Sequence, residues 1–347
     1  MKKPFEKIVG KELNDSFRQL CNENKFYPAK QTVIDLCKRF QDKDGNFIEQ
    51  FQTNGFQQRL WELLLFAIFE SEGFTIMQGH STPDFELNKD EKTFFIEATT
   101  SNMTGMDKTS KELINVIKHN PSETEQLVAF NKLKDFYIEK VGSSLFSKVS
   151  KNYQELKWVK GNQLLLAISP IHDEFARQNS DYLLITYLYG YEFSSVEDNH
   201  GNLLKVDYVE KNLFEKRNKI KISPFFNTVE SKYISGVLFF NDLTIDKFNR
   251  MGFINGLTEK MIILRSCDIY DINSSRAKEI FYFLNSDVYK EDWKQGVSIF
   301  HNPNALFPLN EKLFDGFRQI WIRDGKMTGF IPKFFPFNSF TLSDALF

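Results

Sequence analysis

Three cysteines in 347 residues, Cys21, Cys37 and Cys267, are odd in number and far apart, which excludes a disulfide framework. Without CxxC spacing they do not make a thiolate zinc site either, and a reducing, cytoplasmic compartment is the expectation. No apolar run approaches the ~18 residues that a membrane-spanning helix requires. The segment from Met1 to Lys7 lacks the apolar core of a signal peptide. With a formal net charge of -2 there is no global basic field, so a nucleic-acid partner would need a local basic patch. A glycine-rich phosphate loop, HExxH, GxSxG and a supported Cys/His dyad are all missing. So are internal repeats, low-complexity tracts and coiled-coil heptads.

What is abundant is phenylalanine, 37 residues, often paired with another aromatic as in Phe94-Phe95, Phe239-Phe240 and Phe334-Phe335. Such pairs within apolar runs predict a phenylalanine-rich core rather than base-stacking surfaces. At 41% hydrophobic residues the chain can build one large core.

Residues 1–50 mix charge with apolar groups at helical spacing and predict an N-terminal helical extension. A core domain is expected over 51–310, with an insertion at about 190–233, and a C-terminal extension packed on it over 311–347. From Gly55 a strong helical pattern runs to Glu72 and stops at Gly73. Strands are predicted near 74–78, 83–87 and 93–99, then helices over 110–157 with a break at Asn120-Pro121-Ser122 and a capping box from Ser122 to Glu125. Leu164 to Ile168 reads as a buried strand, as do 234–240 and 297–301. The class is therefore α/β or α+β, a central mixed sheet flanked by helices.

Three carboxylates stand out. Glu62 interrupts an apolar helix, where a charge is costly unless paired or coordinated; pairing with Arg59 is the structural alternative. Period-two alternation puts Asp84 and Glu86 on one strand face, and Phe95, Glu97 and Thr99 on one face of the next. Pairing these strands around Asn88 to Lys92 brings Asp84 and Glu97 to the same end of a hairpin. Two carboxylates held together raise each other's pKa unless a cation lies between them, and an oxygen-rich set suits Mg²⁺ or Mn²⁺.

The order of a helix bearing Glu62, Pro83-Asp84, then Glu97-Ala98-Thr99 is similar to the PD-(D/E)xK, or restriction-endonuclease-like, nucleases over residues 56–170. The resemblance implies a metal-dependent endonuclease in which Asp84, Glu97 and the Ala98 carbonyl bind the ion and Glu62 supports them. It also implies DNA as the favoured partner, with RNA as an alternative, a defence or mobile-element setting, and a homodimer or a partner protein of that system. The departure is Thr99, where the family places a lysine. Lys148 and Lys151, on a helical stretch whose buried stripe is Leu145, Val149 and Leu156, are the candidates to replace it. A nuclease-fold binding or assembly protein without catalysis is the competing reading. Lys216, Arg217, Lys219 and Lys221, with Phe214 and Phe225-Phe226 nearby, form the candidate nucleic-acid grip. His80, in the loop before Pro83, and His172-Asp173, after the buried strand, read as structural turns.

Overall fold

The computed structural model describes the chain except residues 1–2, 7, 9, 78, 102–107, 179–180, 199–202, 212, 216–220, 259, 272–273, 275–276, 287–288 and 346–347. Helices α1 (Asp15–Asn22), α2 (Tyr27–Arg39) and α3 (Phe47–Gln52) precede the long helix α4 (Phe56–Ser71). Strands β1 (Thr75–Met77), β2 (Phe85–Lys89) and β3 (Lys92–Ser101) form a meander, followed by α5 (Lys108–His119), α6 (Glu123–Val149) and β4 (Gln163–Pro170). Next come α7 (Glu174–Gln178), α8 (Tyr182–Tyr189), β5 (Tyr191–Glu197), β6 (Leu203–Glu210), β7 (Phe214–Glu215) and β8 (Lys221–Ile222). The chain continues through β9 (Gly236–Phe239), α9 (Ile245–Ile254), β10 (Met261–Ile269), β11 (Lys278–Phe283) and β12 (Ser298–His301). It finishes with β13 (Arg318–Arg323), β14 (Lys326–Phe330) and β15 (Pro336–Ala345).

Among the described residues the main sheet has eight strands in the order β1-β2-β3-β4-β9-β12-β13-β14. The pairs β3/β4, β4/β9 and β12/β13 are parallel and the others antiparallel, so the sheet is mixed. Helices cover both faces. Phe85, Phe94, Ile96, Ala98, Leu165 and Ala167 pack with α4 and the N-terminal helices. Phe95, Leu164, Leu166 and Ile168 pack with Leu133, Val141 and Leu145 of α6. Burial on both faces explains why β4 reads as one apolar run rather than an alternation.

Helix α4 is apolar nearly all round because the sheet lies on one side of it and α2 and α3 on the other. Trp61 anchors it by donating Nε1–H to the Ala167 carbonyl at 3.1 Å and stacking on Phe240. The N-terminal helices thus share the central core, and α2 lies against α9, where Ala29 N–H donates to Asn249 Oδ1 at 3.1 Å. Residues 311–347 supply β13 and β14 to the main sheet and β15 to a second sheet, β11-β10-β15.

The phenylalanine-rich core is observed: Phe94, Phe95, Phe239, Phe240 and Phe335 are all buried. No helix among the described residues is long and apolar enough to cross a membrane. Where the sequence over 190–233 reads as polar and irregular, β5 and β6 pair from Tyr191/Glu210 to Glu197/Leu203, with a register shift between Val196 and Glu197. The helical stretch read through Leu156 instead ends at Val149. Asn152, in the left-handed conformation at φ 52°, turns the chain into a short 3-10 segment at Tyr153–Glu155.

Candidate active site

The β2/β3 register pairs Phe85 with Ile96, and continuing it by one residue sets Asp84 opposite Glu97. The two are tied reciprocally: Ala98 N–H donates to Asp84 Oδ2 at 2.7 Å, and Asp84 N–H donates to Glu97 Oε2 at 3.3 Å. Alternation along β3 turns Glu97 and Thr99 toward α6, and Lys148 near the end of α6 donates to Glu97 Oε1 at 2.6 Å. Lys151 lies in the turn just beyond. Its Nζ stands 3.8 Å from the same oxygen and its side chain is 56% exposed, against 18% for Lys148. The two lysines therefore do not share a helix face; the end of α6 separates a buried partner from a rim residue.

Glu62 approaches from the other side of the sheet. Its Oε2 accepts from Arg59 at 2.6 Å and its Oε1 from Gln58 at 3.0 Å. Gln58 is the link between helix and strand, since its Nε2 also lies 3.3 Å from the Ala98 carbonyl and its Oε1 accepts from Thr100 at 3.3 Å. Glu62 and Asp84 nevertheless line one small cavity, and the Glu62 and Glu97 carboxylates both act electrostatically on Asp84. Among the described residues no three His, Cys, Asp or Glu side chains are grouped as around a metal ion. Arg59 and Gln58 hydrogen-bond Glu62, and Lys148 pairs with Glu97.

The electrostatics are strained at Asp84. Burial, then the neighbouring Glu97 and Glu62 carboxylates, push its pKa up to about 8, outweighing Lys148 and the Ala98 N–H. Burial also raises Glu62 against the opposing pull of Arg59. The Tyr153 phenol, buried and facing Glu97, is driven well above its ordinary range by burial and by the Glu97 carboxylate. A small cavity of about 40 Å³ opens on Glu62 and Asp84, walled by Asp42, Lys43 and Asp44 from the N-terminal segment. Lys43 Nζ reaches the Asp84 carbonyl at 3.3 Å, and burial lowers its pKa.

Gln58 was legible in principle, one helical turn before Glu62 at the (i, i+4) spacing. Lys43, Tyr153 and Trp158 were not, because each arrives from a separate segment. Trp158 donates Nε1–H to the Thr82 carbonyl at 2.8 Å and stacks on His80 at 4.1 Å, while His80 Nδ1 pairs with Glu86 Oε2 at 2.8 Å. His80 is therefore built into the loop that presents Pro83 and Asp84. His172 and Asp173 do not act together: His172 pairs with Ser101 Oγ at 2.6 Å, while Asp173 Oδ1 accepts from Ala176 N–H at 2.7 Å.

Of the nucleic-acid grip, Lys216, Arg217 and Lys219 lie outside the described residues, and Lys221 lies in β8 opposite Glu215. Phe214, Phe225 and Phe226 are buried with the α6 and α8 core, so they cannot stack on bases as the sequence reading allowed; their apolar surface is consumed in folding. None of the three cysteines is in a disulfide. Comparison with protein-family models, curated proteins and solved structures finds no match.

Proposed function

We propose that the chain is a cytoplasmic, metal-dependent phosphodiesterase with a restriction-endonuclease-like core, acting as a DNA endonuclease in a defence or mobile-element system. The observation that carries this reading is the reciprocal Asp84–Glu97 arrangement with Lys148 at 2.6 Å from Glu97.

The donor set fits Mg²⁺ or Mn²⁺ without a third protein carboxylate. Magnesium keeps several waters and commonly takes one or two carboxylates plus substrate phosphate oxygens. Asp84, Glu97 and the Ala98 carbonyl would hold it, and the raised proton affinity of Asp84 marks a carboxylate whose charge lacks compensation. The bound ion supplies Lewis-acid polarisation of the scissile phosphate and acidifies the attacking water. Gln58 positions the Ala98 carbonyl relative to Glu62, and Arg59 opposes the rise in Glu62's pKa that burial causes. Lys148 takes the part of the missing strand lysine: it orients Glu97 and keeps a positive charge where negative charge grows on the phosphate.

Thr99, together with the engagement of both Glu97 oxygens, favours one second reading: a nuclease-fold nucleic-acid-binding or assembly protein without catalysis. The test is to incubate the purified chain with supercoiled DNA, linear DNA and RNA, in Mg²⁺, Mn²⁺ or EDTA, beside Asp84→Ala and Glu97→Ala. DNA cleavage that needs the metal and both carboxylates is expected. Equal cutting by the variants, or activity in EDTA, overturns the reading. DNA binding without cleavage selects the second one, and cleavage restricted to RNA changes the substrate.

A further inference from the structure

The sheet β11-β10-β15 has an inner and an outer face of the same character. Ile263, Arg265 and Cys267 point inward and are buried. On the outer face the register aligns Phe283, Leu264 and Leu342 in one row, and Phe281, Ser266 and Phe340 in the next. Phe281, Phe283, Phe340 and Leu342 are 61%, 59%, 64% and 55% exposed. An antiparallel sheet with one solvated face normally turns polar residues outward, and a contiguous apolar patch marks an interaction surface. These phenylalanines serve no core.

We infer that this outer face binds a second copy of the same chain, sheet face against sheet face. With ~200 Å² per aromatic side chain, the exposed parts of the three phenylalanines, Leu342 and Ile262 amount to ~500 Å². Two such faces together reach the ~1,000 Å² at which specific association begins. The register sets the small Ser266 between Phe281 and Phe340, so a two-fold operation would lay an aromatic of one copy over the small residue of the other, with stacked sheets ~10 Å apart.

The polar groups of the face are already satisfied. Ser266 Oγ donates to Glu279 Oε1 at 2.6 Å and Asn338 Nδ2 to Asp268 Oδ2 at 2.9 Å, so covering them orphans neither donor. The border carries both signs, Lys260 and Lys278 with Asp268, Glu279 and Asp344, so no single-sign field opposes a second copy.

The experiment is sedimentation velocity on the full chain over a micromolar concentration series, with Phe281→Lys/Phe340→Lys and the milder Phe281→Ser/Phe340→Ser. The control is Leu204→Lys/Val209→Lys on the β5–β6 hairpin, whose side chains are also exposed. A wild-type dimer is expected, weakened at least ~100-fold by the lysine pair, less by the serine pair and not by the control. Circular dichroism and melting temperature like the wild type's identify folded variants, and the serine pair decides if the lysine pair fails to fold. A wild-type monomer across the series, a dimer that survives in the folded variants, or a dimer lost only in the control overturns the inference.

Discussion

Lys148 on α6 and Glu97 on β3 meet at 2.6 Å, so a cation reaches the buried Glu97 carboxylate from the neighbouring helix. Thr99 follows Glu97 by one strand period, on the same face and likewise buried, so on the proposed reading a lysine there would serve the site in exchange for Lys148.

That exchange gives the first prediction. Lys148→Ala lowers cleavage at least ~100-fold, the order of magnitude for one lost charge stabiliser. Lys151→Ala, with its exposed ammonium at 3.8 Å, costs less than tenfold. Returning the charge on the strand in Lys148→Ala/Thr99→Lys recovers part of the loss. Single-turnover cleavage rates check the order of the four proteins.

The pH dependence of metal-free stability follows from Asp84. Its carboxyl has an ordinary pKa of 3.8 when unfolded and about 8 when folded. Between those values the folded state holds more protons, so the stabilisation is complete below pH ~4 and is lost as pH rises toward ~8. Asp84→Asn flattens this slope and raises the melting temperature at pH 8 by at least ~2 °C. Mg²⁺ stabilises the wild type more at pH 8 than at pH 6, because binding requires the ionised carboxylate. Thermal melts at two pH values, with and without Mg²⁺, provide the check.

Arg59 is the partner that makes Glu62 tolerable in the apolar helix, and it also donates to Asn46 and Gln50 at 2.9 Å each. Arg59→Ala leaves a buried carboxylate with Gln58 alone and costs ~3 kcal/mol. Adding Glu62→Gln removes the uncompensated charge and recovers about half of that. Urea denaturation of the two singles and the double closes the cycle; additive losses would mean that the pair is not coupled.

Gly252 tests the joining of the N-terminal helices to the core. A Cβ at this position would lie 2.6 Å from the Pro28 carbonyl oxygen and 2.5 Å from Thr32 Oγ1. Because the carbonyl belongs to the backbone of α2, the helices must move apart, and Gly252→Ala costs ~2 kcal/mol. Gly256→Ala is a poor control because φ is +73° there, whereas an alanine at an exposed helical position such as Lys132 should stay within ~0.5 kcal/mol.

The sequence by itself determined the local periods: the apolar helix around Glu62, the hairpin that opposes Asp84 to Glu97, and the buried strand at 164–168. These depend on side-chain alternation and helix spacing, which neighbouring residues fix. Only the tertiary structure decided which charges meet. Glu62 found Arg59 and Gln58 as its hydrogen-bond partners, Lys148 made the close contact to Glu97 that Lys151 does not, and Lys43 and Tyr153 arrived from segments that no local pattern links to the hairpin. A helix end at Val149 and the stacking of layers on both sheet faces set those meetings. Both depend on packing between residues far apart in the chain, so no local spacing in the sequence carries them.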